Sequence, residues 1–419
     1  MRYIFWFLFW FLYFPLMRLA TLFLFWNSKV EERERFEKRN KFEFLAHSFR
    51  EKNLKADLCF EFSSEGEFQQ VAPLIEDALK AGKRIELVFF SPSVEKAVMR
   101  LAQSYPAQVR YLRYPFVRLF PFIARRSFTH WVTSSTLVMV RYDLFPEFLL
   151  WSMQEGHELK MLWITFKKER SKGQKTSFWK KLFLKNASGI VYAVNEDEKT
   201  GSDLKLPGKV FDFRMVQIQR RIETREEKLQ RLFPLYPDFQ NHLKKFNQAV
   251  ILGNAWPKDL FLLKDVPPEV LIVIVPHLLT HDILNKFSST LEEMGRRVFE
   301  IDDFSNEMKA SSTILINKKG ILCELYKDFT HSYVGGGFER SIHSVLEPLV
   351  AGSQYLSCGP VHFRSTEFDL AMEMNRITEV NTPEQFLEWL NKNDKNPHHD
   401  KMNSLLKEYE RMREFVISC

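Results

Sequence analysis

The spacing of hydrophobic positions along this 419-residue chain changes character twice. From Tyr3 to Trp26, in "YIFWFLFWFLYFPLMRLATLFLFW", the run is apolar except for Arg18 and is interrupted only by Pro15. About 20 such residues cross a bilayer, and the bulky "FLFW" end lacks the small-residue cleavage site of a signal peptide. Residues 1–28 are therefore expected to be a membrane anchor. Its Trp and Phe content and Arg18 leave spanning and interfacial placements both open. The pattern then turns polar in "KVEERERFEKRN", which predicts a charged, solvated helical neck over 29–55.

From Ala56 short apolar runs alternate with amphipathic ones. "ADLCFEF", "RIELVFF", "QVRYLRY", "STLVMVRYDL", "LKMLWITF", "GIVYAVN" and "KVFDF" read as strands. "EFQQVAPLIEDALKAG", "PSVEKAVMRLAQSY" and "FPEFLLWSMQEG" read as the helices between them. After the helical bridge "EEKLQRLFPLYPDFQNHLKKF" the alternation resumes with "AVILGN", "EVLIVIVPH", "HDILNKFSSTLEEMG", "RVFEID" and "STILIN". Strand–helix alternation predicts parallel, doubly wound sheets. The expected fold is α/β and GT-B-like, two Rossmann-like domains facing a cleft at the carboxyl ends of their strands. Expected boundaries are 56–218 and 219–395, with a C-terminal helix over 396–419.

Composition narrows the partners. A formal net charge of +7 favours phosphates and anionic lipids. No zinc finger, RNA-recognition signature or basic zipper is present, so nucleic acid is not an expected partner. The four cysteines, Cys59, Cys323, Cys358 and Cys419, are too scattered for a disulfide framework and fit a reducing compartment. No cofactor or metal is expected: the pair His398-His399 has no ligand cluster around it.

The densest chemistry lies in "YVGGGFERSIHSVLEPLVAGSQYLSCGP", Tyr333 to Pro360. Gly335, Gly336 and Gly337 let backbone approach a ligand closely and adopt positive φ. The run "SIHSVLEPLVAG" has helical spacing, so strand, glycine turn and helix N-terminus together suggest an anion site. A plain tight turn explains the glycines equally well. The pattern is neither a dinucleotide fingerprint nor a P-loop.

An ordered set of segments resembles the Kdo transferases of lipopolysaccharide synthesis, which move 3-deoxy-D-manno-octulosonic acid from CMP-Kdo to a lipid A precursor. The set comprises the apolar N-terminus, Ser64-Glu65-Gly66-Glu67, "RYDLFP" (Arg141 to Pro146), "FDFR" (Phe211 to Arg214), "GNAWPKD" (Gly253 to Asp259) and the glycine segment. In that segment Val334 to Phe338, His343-Ser344, Leu346-Glu347-Pro348, Gly352 and Gly359-Pro360 carry the likeness. The chain departs from the family at Glu61 (a His there), Arg141 (an acid), Ile164-Thr165-Phe166 (Asn-x-Arg), Phe211 (Gly) and Ser344 (Asn).

The resemblance implies a membrane-anchored, inverting glycosyltransferase on the cytoplasmic face of the inner membrane, with CMP-Kdo as donor, a lipid A precursor as acceptor and membrane lipids as partners. It makes Glu67 the catalytic base; a helix-N-terminal carboxylate is the plainer alternative. Gly335, Gly336, Gly337, His343, Ser344 and Glu347 would hold the donor, with Arg214, His277 and Lys258 near strand ends as further candidates. Ser64, Asp143 and the basic run "KKERSKGQKTSFWKK", through Lys167, Lys168, Arg170, Lys180 and Lys181, would face the acceptor or the membrane. Two other readings stay open: a catalytically weakened relative serving as a lipid- or nucleotide-binding scaffold, and a GT-B lipid glycosyltransferase with another donor.

Overall fold

The computed structural model describes residues 27–39, 48–114, 131–141, 144–154, 156–301, 312–339, 341–363, 365–392 and 401–417, with isolated residues at 4, 12, 15, 16, 19, 23 and 128. It divides into two compact units, Met1–Arg214 with Lys407–Cys419, and Met215–Leu406.

The first unit is built on a seven-stranded sheet in the order β3-β2-β1-β4-β5-β6-β7. Its strands are β1 Leu58–Phe62, β2 Ile85–Phe89, β3 Val109–Arg113, β4 Thr136–Val140, β5 Glu158–Ile164, β6 Gly189–Tyr192 and β7 Lys209–Val210. Every pairing is parallel. β1, β2 and β4 are buried at every position, as strands covered by helices on both faces must be. The carboxylate of Glu86, inside β2, accepts from Thr133 N at 3.0 Å and from Thr133 Oγ1 at 2.7 Å. Burial still pushes its pKa up to about 7.

The second unit repeats the plan with the order β10-β11-β9-β8-β12-β13-β14. These strands are β8 Ala249–Ala255, β9 Leu271–Pro276, β10 Arg297–Glu300, β11 Ser312–Leu315, β12 His331–Val334, β13 Tyr355–Cys358 and β14 Ile377–Glu379. All pairings are parallel here too. One core gathers Ile251, Val273, Ile314 and Val334, and a second gathers Val250, Leu252, Ile272 and Tyr333. Adjacent strand residues thus feed separate cores, as the two-residue period of a strand requires. In both sheets the winding direction reverses beside the first strand, at β1/β4 and at β8/β12. The carboxyl ends of these pairs are where open α/β sheets form crevices.

Several expectations need correction. "SIHSVLEPLVAG" does not continue the glycine turn as a helix: only Leu346–Ala351, six residues, is helical. "KVFDF" is a strand only at Lys209–Val210. The basic run forms two short helices, Lys167–Ser171 and Phe178–Asn186, joined by an irregular segment. The neck is not simply solvated. Its helix Ser28–Arg39 docks on the first unit, with Glu32 accepting both terminal nitrogens of Arg113 at 3.0 Å and Arg33 Nη1 donating to Phe90 O at 2.8 Å.

Most of the expected anchor lies outside the described residues. Its described members, Ile4, Leu12, Pro15, Leu16, Leu19, Phe23, Asn27 and Ser28, are all exposed. Among the described residues no helix is long and apolar enough to cross a membrane.

At its other end the chain returns to the first unit through the helix Lys401–Ile417. There Tyr409 Oη donates to Asp77 at 2.6 Å, and Lys160 Nζ donates to the carbonyls of Phe415 and Val416 at 3.2 and 3.1 Å.

Candidate functional site

In the second unit the carboxyl ends of β8, β9 and β12 bring three distant segments together. β8 ends in a bulge: its register with β9 shifts between Gly253 and Ala255, and Asn254 takes a left-handed φ of 53°. The chain then turns at Trp256-Pro257 into a short 3-10 helix, Pro257–Leu263. Asp259, fully buried, organises this corner. Its carboxylate accepts from Trp256 N at 2.7 Å, Tyr333 Oη at 2.9 Å and Gly336 N at 3.2 Å. Burial raises its pKa although these donors favour the charged form.

The glycines serve this crossing of chains rather than an open cradle. A Cβ on Gly335 would stand 2.5 Å from Asn254 O, and Gly336 has a φ of 94°. Gly335 N is bonded to Gly253 O at 2.9 Å, as Gly336 N is to Asp259. Two of the three amides expected to meet a phosphate are thus engaged, and Gly337 is pressed against Gly359. The following helix does not offer its N-terminus either. Val345 N and Leu346 N both point at Glu367 Oε2, at 3.0 and 3.5 Å, so a carboxylate already meets that end.

What does stand at the strand ends is a column of flat rings. His277, at the end of β9, stacks on Trp256 with centroids 5.0 Å apart and on His343 with centroids 4.1 Å apart. Trp256 Nε1 reaches His343 Nε2 at 3.4 Å. Burial, and then the neighbouring His277, lower the pKa of His343 to about 4, so its ring is neutral at neutral pH. A face of stacked aromatic rings suits stacking of a planar group. Of the other expected donor residues, Lys258 is exposed and 3.7 Å from Glu339, while Ser344 is half-buried in the loop before Leu346. Glu347, in the first turn of its helix, lies 3.4 Å from Arg221 Nη1. Burial raises the Glu347 pKa against the pull of Arg221.

Arg214 is not part of this cluster. It belongs to the first unit, where its guanidinium is paired with Asp212 through Nε at 2.9 Å and lies 4.5 Å from the ring of Trp163. Glu67 belongs to the same unit. Together with Ser64 it forms a capping box on the helix Glu65–Lys80: Ser64 Oγ accepts from Glu67 N at 3.4 Å, and Glu67 Oε2 accepts from Ser63 N at 2.6 Å and Ser64 N at 3.2 Å. Glu67 thus sits at the carboxyl end of β1, at the switch point, but is held as a helix cap.

The expected acceptor cations behave differently from one another. Lys167 is half-buried and Lys168 exposed, and Lys181 is half-buried. Lys180 is no surface cation: it is 8 % exposed, donates to Thr165 O at 2.6 Å and pairs with Glu169 at 2.7 Å. Asp143 and the side chain of Arg170 lie outside the described residues.

The sequence brings Trp256 and Asp259 forward only as members of "GNAWPKD", with no role of their own, and does not single out Trp163 or Glu367. "WPKD" carries a readable signal for the first two, a Pro at the first helical position with an acid two residues on. Nothing in the sequence marks Glu367, whose role comes from a fold-back of the chain.

No protein-family model and no curated protein sequence matches this chain. Solved structures do resemble it. The UDP-GlcNAc 2-epimerase of Neisseria meningitidis, bound to UDP-GlcNAc, aligns with a TM-score of 0.51 at 11% identity, covering 86% of this chain and 94% of that one. MurG of Acinetobacter baumannii aligns at 0.46 and 11% identity, over 86% and 93%. The C-terminal CMP-Kdo binding domain of WaaA from Acinetobacter baumannii aligns at 0.33 and 16% identity, over 48% of this chain and 95% of that domain. The first of these likenesses, together with the two parallel sheets, fits an α/β fold of the GT-B class. At such identities it speaks to the fold alone.

Proposed function

We propose that this chain is a glycosyltransferase of the Kdo transferase type, taking a sugar acid from CMP-Kdo to a lipid A precursor at the cytoplasmic face of the inner membrane. One observation carries the reading. The segments of the second unit that hold the resemblance, "GNAWPKD" and the glycine segment, are far apart in sequence and converge, together with His277, at the switch-point edge of one sheet. In this reading the ring column of Trp256, His277 and His343 receives the flat part of the donor, and Lys258 lies beside its charge.

Glu67 is the base of this reading, because a carboxylate at the carboxyl end of β1 is where an acceptor hydroxyl would be met. Its capping bonds to Ser63 N and Ser64 N favour a second reading as well, a relative in which transfer is weakened and nucleotide binding persists. The apolar run from Tyr3 to Trp26 supports attachment to the membrane.

Thermal shift of the purified full chain with CMP, UDP and ADP tests the donor, and single-turnover transfer from CMP-Kdo tests the reaction. Selective stabilisation by CMP with transfer supports the first reading. Stabilisation by CMP without transfer supports the second. A preference for UDP would refute the Kdo donor, and no response to any nucleotide would refute both.

A further inference from the structure

The ring column at the carboxyl ends of β8, β9 and β12 carries a hydrogen bond that stacking does not require. Trp256 Nε1 lies 3.4 Å from His343 Nε2. An indole nitrogen only donates, so His343 Nε2 is the acceptor. A neutral imidazole has one N–H, and an accepting Nε2 puts that proton on Nδ1. Burial, and then neighbouring His277, keep the ring neutral.

Both partners are held in place. His277 stacks on His343 at 4.1 Å with the ring planes 22° apart, and His343 N donates to Gly335 O at 3.3 Å. The residue before it is tied as well, with Ile342 N bonded to Val361 O at 3.0 Å. Trp256 N donates to buried Asp259 at 2.7 Å, and the indole stacks on His277 at 5.0 Å. A phenylalanine would stack in the same way; only the indole adds an N–H. His343 is half-buried, and its Nδ1 makes no bond among the described residues and is not shut into the interior. The one proton of the ring is therefore left for a ligand.

We infer that Trp256 is a positioning residue: it holds His343 in the Nδ1–H tautomer, and the neutral ring presents that single N–H to an acceptor oxygen of the nucleotide bound at this face. The contact supplies direction rather than charge. The tautomer stands on the geometry of the rings alone, while the identity of the ligand rests on the donor reading proposed above.

Nitrogen-15 spectra of the histidine rings in the full chain test the tautomer before any ligand is added, the His343 signals being identified by their loss in His343→Gln. A protonated Nδ1 and a bare Nε2 are expected. Trp256→Phe keeps a ring to stack and the backbone bond to Asp259 but lacks the indole N–H, so His343 should pass into exchange between its tautomers. A parent ring protonated at Nε2, or a ring unchanged in Trp256→Phe, would overturn the inference. Should Trp256→Phe fail to fold, the parent spectrum still decides. Calorimetric titration with CMP, UDP and ADP then tests the donation. Asparagine carries its amide nitrogen about where Nδ1 stands, and glutamine about where Nε2 stands. For whichever nucleotide binds, His343→Gln should weaken affinity about tenfold or more, the loss of a hydrogen bond to a charged group. His343→Asn should bind about threefold or more tighter than His343→Gln. Equal losses in the two variants would overturn the donation. No binding of any of the three nucleotides would overturn the donor reading and the donation with it, whereas the tautomer is decided by the spectrum, so the two failures are told apart.

Discussion

At the scale of single residues the second unit depends on Asp259. It joins three groups from two segments, and removing it leaves Gly336 N, Trp256 N and Tyr333 Oη in a buried corner without their acceptor. Asp259→Ala should therefore destabilise the unit by about 2–4 kcal/mol, read from urea unfolding, whereas loss of a surface carboxylate would move the midpoint little. His343 makes a pH-dependent contribution. Its pKa is about 4 in the folded unit, as is that of buried His331, against 6.5 in an unfolded chain. Between those values the unfolded chain binds more protons than the folded one, so stability is lost as pH falls from 6.5 towards 4. Urea midpoints taken at pH 7 and pH 4.5 should fall further for the parent than for His343→Gln; equal falls would show that the ring does not titrate in this window. Glu67→Gln separates cap from base. The glutamine oxygen can still accept from Ser63 N, so the fold should persist, while transfer should drop about 10²–10⁴-fold if the carboxylate takes the acceptor proton. An unchanged single-turnover rate would leave Glu67 as a cap alone.

At the scale of elements, the buried strands were legible because burial on both faces shows as short, mostly apolar runs. β1, β2, β4, β8 and β9 follow the apolar runs closely. Elements failed to be legible where other chain segments decide the outcome. "SIHSVLEP" has helical spacing, yet its first half is drawn out as loop, with Ile342 N bonded to Val361 O and His343 N to Gly335 O. These long-range bonds outcompete a local helix, and propensity alone does not foresee them. The candidate site was legible in part for the same reason: its residue types and segments could be chosen, but the use of the glycines could not. Their tight contacts are with Asn254 and Ser341, which no spacing rule connects to them. Gly335→Ala should accordingly unfold or strongly loosen the second unit, since its Cβ meets backbone that cannot step aside. Gly320→Ala, with φ 83° but nothing within 4 Å, should cost only about 1 kcal/mol. Comparing their melting temperatures checks the difference.

At the scale of the whole chain, the two ends are fastened to the first unit by charged or polar ties. The neck is fastened by Glu32 on Arg113, which holds the Glu32 pKa below the usual carboxylate range. The last helix is fastened by Lys160 on the carbonyls that end it. Lys160→Met should expose residues 401–417 to limited proteolysis well before the rest of the chain is cut; equal resistance would show that Tyr409 and the apolar contacts suffice. This closing helix also sets an order of assembly during synthesis. The first unit begins first but is missing a piece of its surface until residues 407–417 have left the ribosome, whereas the second, contiguous from Met215 to Leu406, has all its parts earlier. Contrary to the usual N-terminal-first sequence, the later-encoded unit has its full set of elements synthesised before the earlier one does. The earlier unit must wait, with its sheet strands made but its flank open, for a helix that is encoded only after its neighbour.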